Sequence, residues 1–165
     1  MMIRYVILAF LPFLAIFLQS TLFSFYSIRG TIPDLVLMFV VFFAIINGER
    51  PGTIYGFLCG LLEDLYMGRL IGLNALCKAI VGYSLGKMQG NVFKENMLVG
   101  VLGVLAGTII NSLVMLILVL LVSGFPVAGS DFLVKTLYQC LYNLLLSIPI
   151  YFWYFNSSHN GLLKA

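Results

Sequence analysis

Charge is what this sequence has least of: 9% of its 165 residues are Asp, Glu, Lys or Arg, against roughly a quarter in an ordinary soluble domain. A folded domain of this size still exposes about a third of the surface of its unfolded chain, so water has no place for so apolar a sequence. A bilayer does. Histidine is equally scarce. The single one, His159, lies in the polar C-terminal stretch, and no His-E-x-x-H, Ser/His or Ser/Lys arrangement occurs, which removes the common hydrolase and zinc-protease chemistries. Ser84 and Ser112 have no evident base. Cys59, Cys77 and Cys140 all fall in apolar runs without C-x-x-C spacing, so neither a disulfide framework nor a metal site is indicated and they read as small packing residues. The net charge of +3 is too small to point to nucleic acid. No cofactor is implied.

What the sequence has is apolar length, with 62% hydrophobic residues and a mean hydropathy of +1.09. Apolar segments separated by polar or Gly/Pro punctuation predict an all-α integral membrane protein, one polytopic domain over 1–165 with no soluble domain. Helices are expected near Tyr5 to Tyr26, Ile32 to Asn47, Gly52 to Met67, Ile71 to Lys87, Met97 to Val122 and Phe132 to Phe155. The first, fifth and sixth are long enough to span. The middle three fall short of the ~20 residues a perpendicular helix uses and belong inside the bundle. Five spans with a re-entrant hairpin is the alternative. Arg4 followed by the run to Phe25 imitates a signal sequence, but the run is too long and has no small-x-small cleavage site. It reads as a retained helix.

Six spans put Arg4, Arg50, Lys87, Lys94 and Lys164 on one side, against Arg29, Arg69 and Lys135 on the other. By the positive-inside rule the richer side, with both termini, is cytoplasmic, and Tyr151-Phe152-Trp153-Tyr154-Phe155 marks the interface there.

Glycine recurs every fourth residue: Gly48, Gly52, Gly56 and Gly60; Gly68 and Gly72; Gly82, Gly86 and Gly90; Gly103 and Gly107. Such spacing makes flat helix faces that allow close approach in lipid, either within the bundle or to a partner helix. Glu63 and Asp64 close the third helix and Lys78 sits two turns into the fourth. Ionised groups at membrane depth are costly unless paired. A hairpin about Met67 to Leu70 brings residue 64 level with 73 and 59 with 77, so Lys78 reaches back to pair with Glu63 or Asp64. Asn74, one turn earlier on the same face, joins the cluster. Adjacent carboxylates point about 100° apart on a helix, which excludes an aspartyl dyad. Pro33-Asp34 reads simply as a helix start, and Pro12 and Pro149 as kinks.

In order, Pro33-Asp34-Leu35, Gly56-Phe57-Leu58-Cys59-Gly60-Leu61-Leu62-Glu63-Asp64, Gly68, Ile71-Gly72-Leu73-Asn74-Ala75-Leu76 and Val81-Gly82-Tyr83-x-x-Gly86 resemble the rod shape-determining MreD family. The resemblance is densest from Pro33 to Gly86. It implies a non-catalytic scaffold in the bacterial plasma membrane that binds MreC and is linked through it to MreB and to the RodA and penicillin-binding-protein synthase pair. It also implies a fold similar to the substrate-binding components of energy-coupling-factor vitamin transporters. That similarity supplies the rival reading, a transporter subunit, although the Ala-x-x-x-Ala docking face of those proteins is missing: Ala9 and Ala15 are six apart. The structural and partner-binding candidates are Pro33, Asp34, Gly56, Gly60, Glu63, Asp64, Gly68, Gly72, Asn74, Lys78, Gly82, Tyr83 and Gly86, with the Gly-lined third and fourth helices as the expected working surface. A homodimer is left open.

Overall fold

The computed structural model describes residues 2–68, 70–88, 97–123 and 129–159. Arg69, Gly90, Lys94 and Lys164, and the side chains of Arg4, Phe155 and His159, lie outside what is described. The elements are α1 (Met2–Ser20), the helical turn α2 (Leu22–Phe25), α3 (Leu35–Asn47), α4 (Glu49–Met67), α5 (Leu73–Gly86), α6 (Met97–Ser123) and α7 (Gly129–His159). Three apolar spans are long enough to cross a bilayer, Val6–Phe25, Met97–Val122 and Asp131–Tyr154, the same three expected from the sequence.

The arrangement is built around α3. This helix is only about 20 Å long at 1.5 Å per residue, too short to cross the ~30 Å hydrocarbon layer by itself. Every residue from Leu35 to Ile45 is buried, and α1, α4, α5, α6 and α7 all pack against it. Its all-round hydrophobicity therefore reflects a central position.

The α4–α5 hairpin is the tightest contact, and glycine makes it so. A Cβ on Gly56 would collide with the Lys78 carbonyl, one on Gly60 with the Asn74 carbonyl and one on Gly82 with the Gly52 carbonyl, while a Cβ on Gly86 would lie 2.6 Å from Glu49 Cα. The other side of this seam is equally close, since a Cβ on Gly52 would lie 2.7 Å from Ala44 Cβ of α3. The small-residue faces are thus consumed within the chain. Gly48, Gly68 and Gly72 belong to no such face, contrary to the every-fourth-residue pattern: with φ of 97°, 61° and 106° they form the α3–α4 joint and the two caps of the α4–α5 turn, in a region L side chains avoid.

Pro12 withholds the N–H that would meet the carbonyl of Leu8 four residues earlier. The Tyr55 hydroxyl of α4 donates to that carbonyl at 2.9 Å, and the Tyr55 ring lies 4.4 Å from that of Phe43, so the break in α1 becomes a tie to α3 and α4. The aromatic run near the end of α7 divides in two. Phe152 and Trp153 are exposed, but Tyr151 and Tyr154 are buried against Phe42 and Phe39, so part of this run belongs to the core and part faces outward.

The long helices are inside out by aqueous standards. Along α7, Leu133, Leu137, Leu141, Leu145 and Phe152 are exposed while Asn143 and Ser147 are fully buried. Along α6, Leu98, Leu102, Ile109, Leu113, Ile117 and Leu121 are exposed while Thr108, Asn111 and Ser112 are buried. Only an apolar solvent favours that polarity.

Replacing Gly56 or Gly60 by Leu overfills the α4–α5 seam and is expected to lower stability by about 1–3 kcal/mol or more. Leu137→Ala, on the exposed stripe of α7, should change it little. Thermal unfolding in a mild detergent measures both, and equal melting of all variants would mean that the seam is not close-packed.

Candidate functional site: a buried polar cluster

The hairpin register delivers the charged residues to one end of the bundle. Contacts pair Gly52 with Gly82, Gly56 with Lys78 and Gly60 with Asn74 and Ala75, about two to three residues away from the register expected from the turn alone. α4 ends, and α3 and α5 begin, at this end. Gln19 near the end of α1 and Lys135 early in α7 also reach it, lining one cavity with Asp34 and Glu63.

Lys78 has no exposed surface. Its ammonium lies 2.5 Å from Glu63 Oε2 and 3.1 Å from Asp34 Oδ2, so one cation joins α3, α4 and α5. Glu63 Oε2 takes this ammonium as its partner. The Lys78 pairing with Glu63 was anticipated, but the Asp34 partner was not. Asp34 does more than start a helix: Oδ1 caps α3 by accepting from Leu37 N at 2.8 Å, Oδ2 receives the ammonium at 3.1 Å, and its backbone N–H donates to Asn143 Oδ1 at 2.9 Å. Pro33 stands just before this cap, outside the helix, and lines the adjoining cavity.

Asp64 has a separate task. It does not pair with Lys78; Oδ2 accepts from Gly72 N at 2.8 Å and Ala75 N at 3.1 Å, and Oδ1 from Asn74 N at 3.1 Å and Asn74 Nδ2 at 2.9 Å. The three backbone donors, from Gly72, Asn74 and Ala75, are the orphan N–H groups at the start of α5, whose own cap position, Gly72, has no side chain. A carboxylate from the end of α4 therefore caps α5, meeting its positive dipole end.

The polar network continues where sequence reasoning did not follow. Asn143 Nδ2 donates to Thr108 Oγ1 at 2.9 Å, and Thr108 Oγ1 donates to Val104 O at 2.8 Å, which carries the cluster from α3 across α7 to α6. Thr136, Gln139, Asn143 and Ser147 follow one face of α7, and Thr108, Asn111 and Ser112 one face of α6. Polar residues at helical spacing within an apolar span are a readable sign of an inward face. Of the candidates, Pro33, Asp34, Glu63, Asp64, Gly72, Asn74 and Lys78 meet at this end, and Gly68 forms the adjoining turn. Gly56, Gly60, Gly82 and Gly86 line the hairpin seam, and Tyr83 is exposed on α5, apart from the cluster.

Among the described residues no His/Cys/Asp/Glu group has metal-binding geometry, and Cys59 and Cys77 are buried while Cys140 is half-buried. Inverted long helices, a glycine-sealed hairpin and a neutralising ion cluster define a helical membrane protein. The sequence matches the family model of the rod shape-determining protein MreD over residues 1–157, and the chain belongs to that family. It is accordingly a membrane protein of cell-shape determination, in a structural family associated with the MreB/MreC system. No curated protein and no solved structure matches it.

Removing one partner of a buried ion pair leaves an uncompensated charge. Lys78→Met alone is expected to cost about 3–5 kcal/mol of unfolding free energy, and adding Asp34→Asn and Glu63→Gln to it should restore much of that loss. Denaturant unfolding of detergent-solubilised protein tests the pattern. If the triple variant were no more stable than Lys78→Met, the cluster would not be acting through charge neutralisation.

Proposed function

We propose that this chain is a non-catalytic scaffold of the cell-wall elongation machinery, which binds MreC within the membrane and is linked through it to the MreB filament and to the RodA and penicillin-binding-protein pair. The observation that carries this reading is the way the helix faces are used. The small-residue faces and ionised groups of α3, α4 and α5 are satisfied internally, giving a stiff core, whereas α1, α6 and α7 present long apolar stripes outward. Such stripes suit a partner's transmembrane helix as well as lipid. The expected working surface thereby moves: the Gly faces of α4 and α5 stiffen the fold, and docking falls to the outer helices or to the turn at the polar end.

The chain resides in the bacterial plasma membrane with both termini cytoplasmic. Arg50 and Lys87 support that orientation, since Glu49 packs beside Gly86 at one end of the hairpin and Lys135 and Arg29 belong to the opposite end, where Arg29 lies over the Tyr138 ring. Counted along the sequence, the end that carries Arg50 and Lys87 is the richer in Lys and Arg, and by the positive-inside rule it is the inner one.

Glu63 and Asp64 set the polar turn: one holds Lys78, the other starts α5. The double variant Glu63→Gln, Asp64→Asn should sharply reduce MreC recovery in a mild-detergent pull-down and round up rod-shaped cells. Wild-type shape with full MreC co-purification would contradict this role. The same pull-down separates the transporter reading, which calls for co-purification of an ATP-driven energising module.

A further inference from the structure

Beside the ion cluster lies a cavity of about 300 Å³, space for about ten waters at liquid density. Its walls come from α1, the approach to α3, α4, α5, α6 and α7, so it sits where all the packed layers meet. Two residues on its wall, Gln19 and Asn111, are more than nine-tenths buried, and the side-chain oxygen of each, Gln19 Oε1 and Asn111 Oδ1, has no hydrogen-bond partner. A buried polar atom left unmet costs about 1–3 kcal/mol. Both free atoms are acceptors. Asp34 and Glu63 line the same wall, and with Lys78 between them the trio carries a formal charge of one negative unit. The inner wall therefore calls for a hydrogen-bond donor bearing positive charge. The rim differs, for Lys135, exposed on α7, is the one basic side chain among the described lining residues.

We propose that this cavity binds a zwitterion in which a primary ammonium and an anionic group are a few bonds apart, as in phosphoethanolamine. The ammonium lies against Gln19, Asn111 and Glu63, and the anion meets Lys135 at the mouth. A compact ammonium has three donors and no acceptor, matching the unmet oxygens of Gln19 and Asn111 and the carboxylates of Asp34 and Glu63. The headgroup of an ethanolamine phospholipid and a free amino-phosphate share this chemistry.

The full chain, delipidated in mild detergent, is titrated with phosphatidylethanolamine, phosphatidylglycerol and soluble phosphoethanolamine, read by thermal unfolding and by native mass spectrometry. Selective stabilisation by phosphatidylethanolamine over phosphatidylglycerol identifies the lipid headgroup; stabilisation by phosphoethanolamine alone identifies a soluble ligand. Lys135→Gln, at an exposed position safe for folding, should weaken either by about tenfold, the effect of losing one charged hydrogen bond. Gln19→Leu with Asn111→Leu should abolish the selectivity while leaving the melting temperature of the ligand-free protein unchanged or higher. Equal response to both lipids, no response to any of the three probes, or binding indifferent to these substitutions would overturn the proposal and leave the cavity a water-filled space. Recovery of MreC is a separate readout, so a failure of the scaffold reading would not be mistaken for a failure of this one.

Discussion

An ammonium group surrounded by hydrocarbon must be neutralised where it stands, and Lys78 imposes that condition on three helices together. Its partners come from the start of α3 and the end of α4, so the pairing forms only when both helices are docked in one register on α5. Such a cluster adds little net stability, because desolvation offsets most of the attraction. Its effect here is selective: any slip of one helix by a turn would strand a charge in an apolar interior.

Glycine makes that register attainable. For Lys78 to sit flush against α4, the backbones must come closer than a Cβ permits, and Gly56 faces the Lys78 carbonyl itself. Asp64 completes the junction by capping α5 from the neighbouring helix. The two adjacent carboxylates diverge as adjacent residues on a helix must, one toward the ammonium and one toward the free N–H groups, so neither serves the other's purpose. Charge pairing, backbone contact and capping coincide within two helical turns.

Outside this centre the bundle follows the logic of lipid as solvent. Apolar stripes turn outward on α1, α6 and α7, polar residues turn inward, and the carbonyl freed by Pro12 receives the Tyr55 hydroxyl because no water is available to receive it. A protein so arranged acts by the shape and surface of its helices, which accords with membership in a structural family of cell-shape determination.

The sequence by itself determined the solvent, the three long spans, the shortness of α3 and α5 and a tie from Lys78 to a carboxylate at the end of α4, Glu63 or Asp64, because each depends on hydropathy, length or a local turn; α4, read as short, is 19 residues long. The inward faces of α6 and α7 were also written there, in Thr108, Asn111 and Ser112 and in Thr136, Gln139, Asn143 and Ser147, as a polar stripe at helical spacing. Tertiary structure alone decided the rest. Asp34 meets Lys78 across 44 positions of chain and Asn143 across 109, and local spacing carries no record of which helices become neighbours. Whether a glycine flattens a face or turns a corner was likewise decided by backbone φ: Gly56 and Gly68 look alike in the sequence, and only the path of the folded chain makes one a contact and the other a cap.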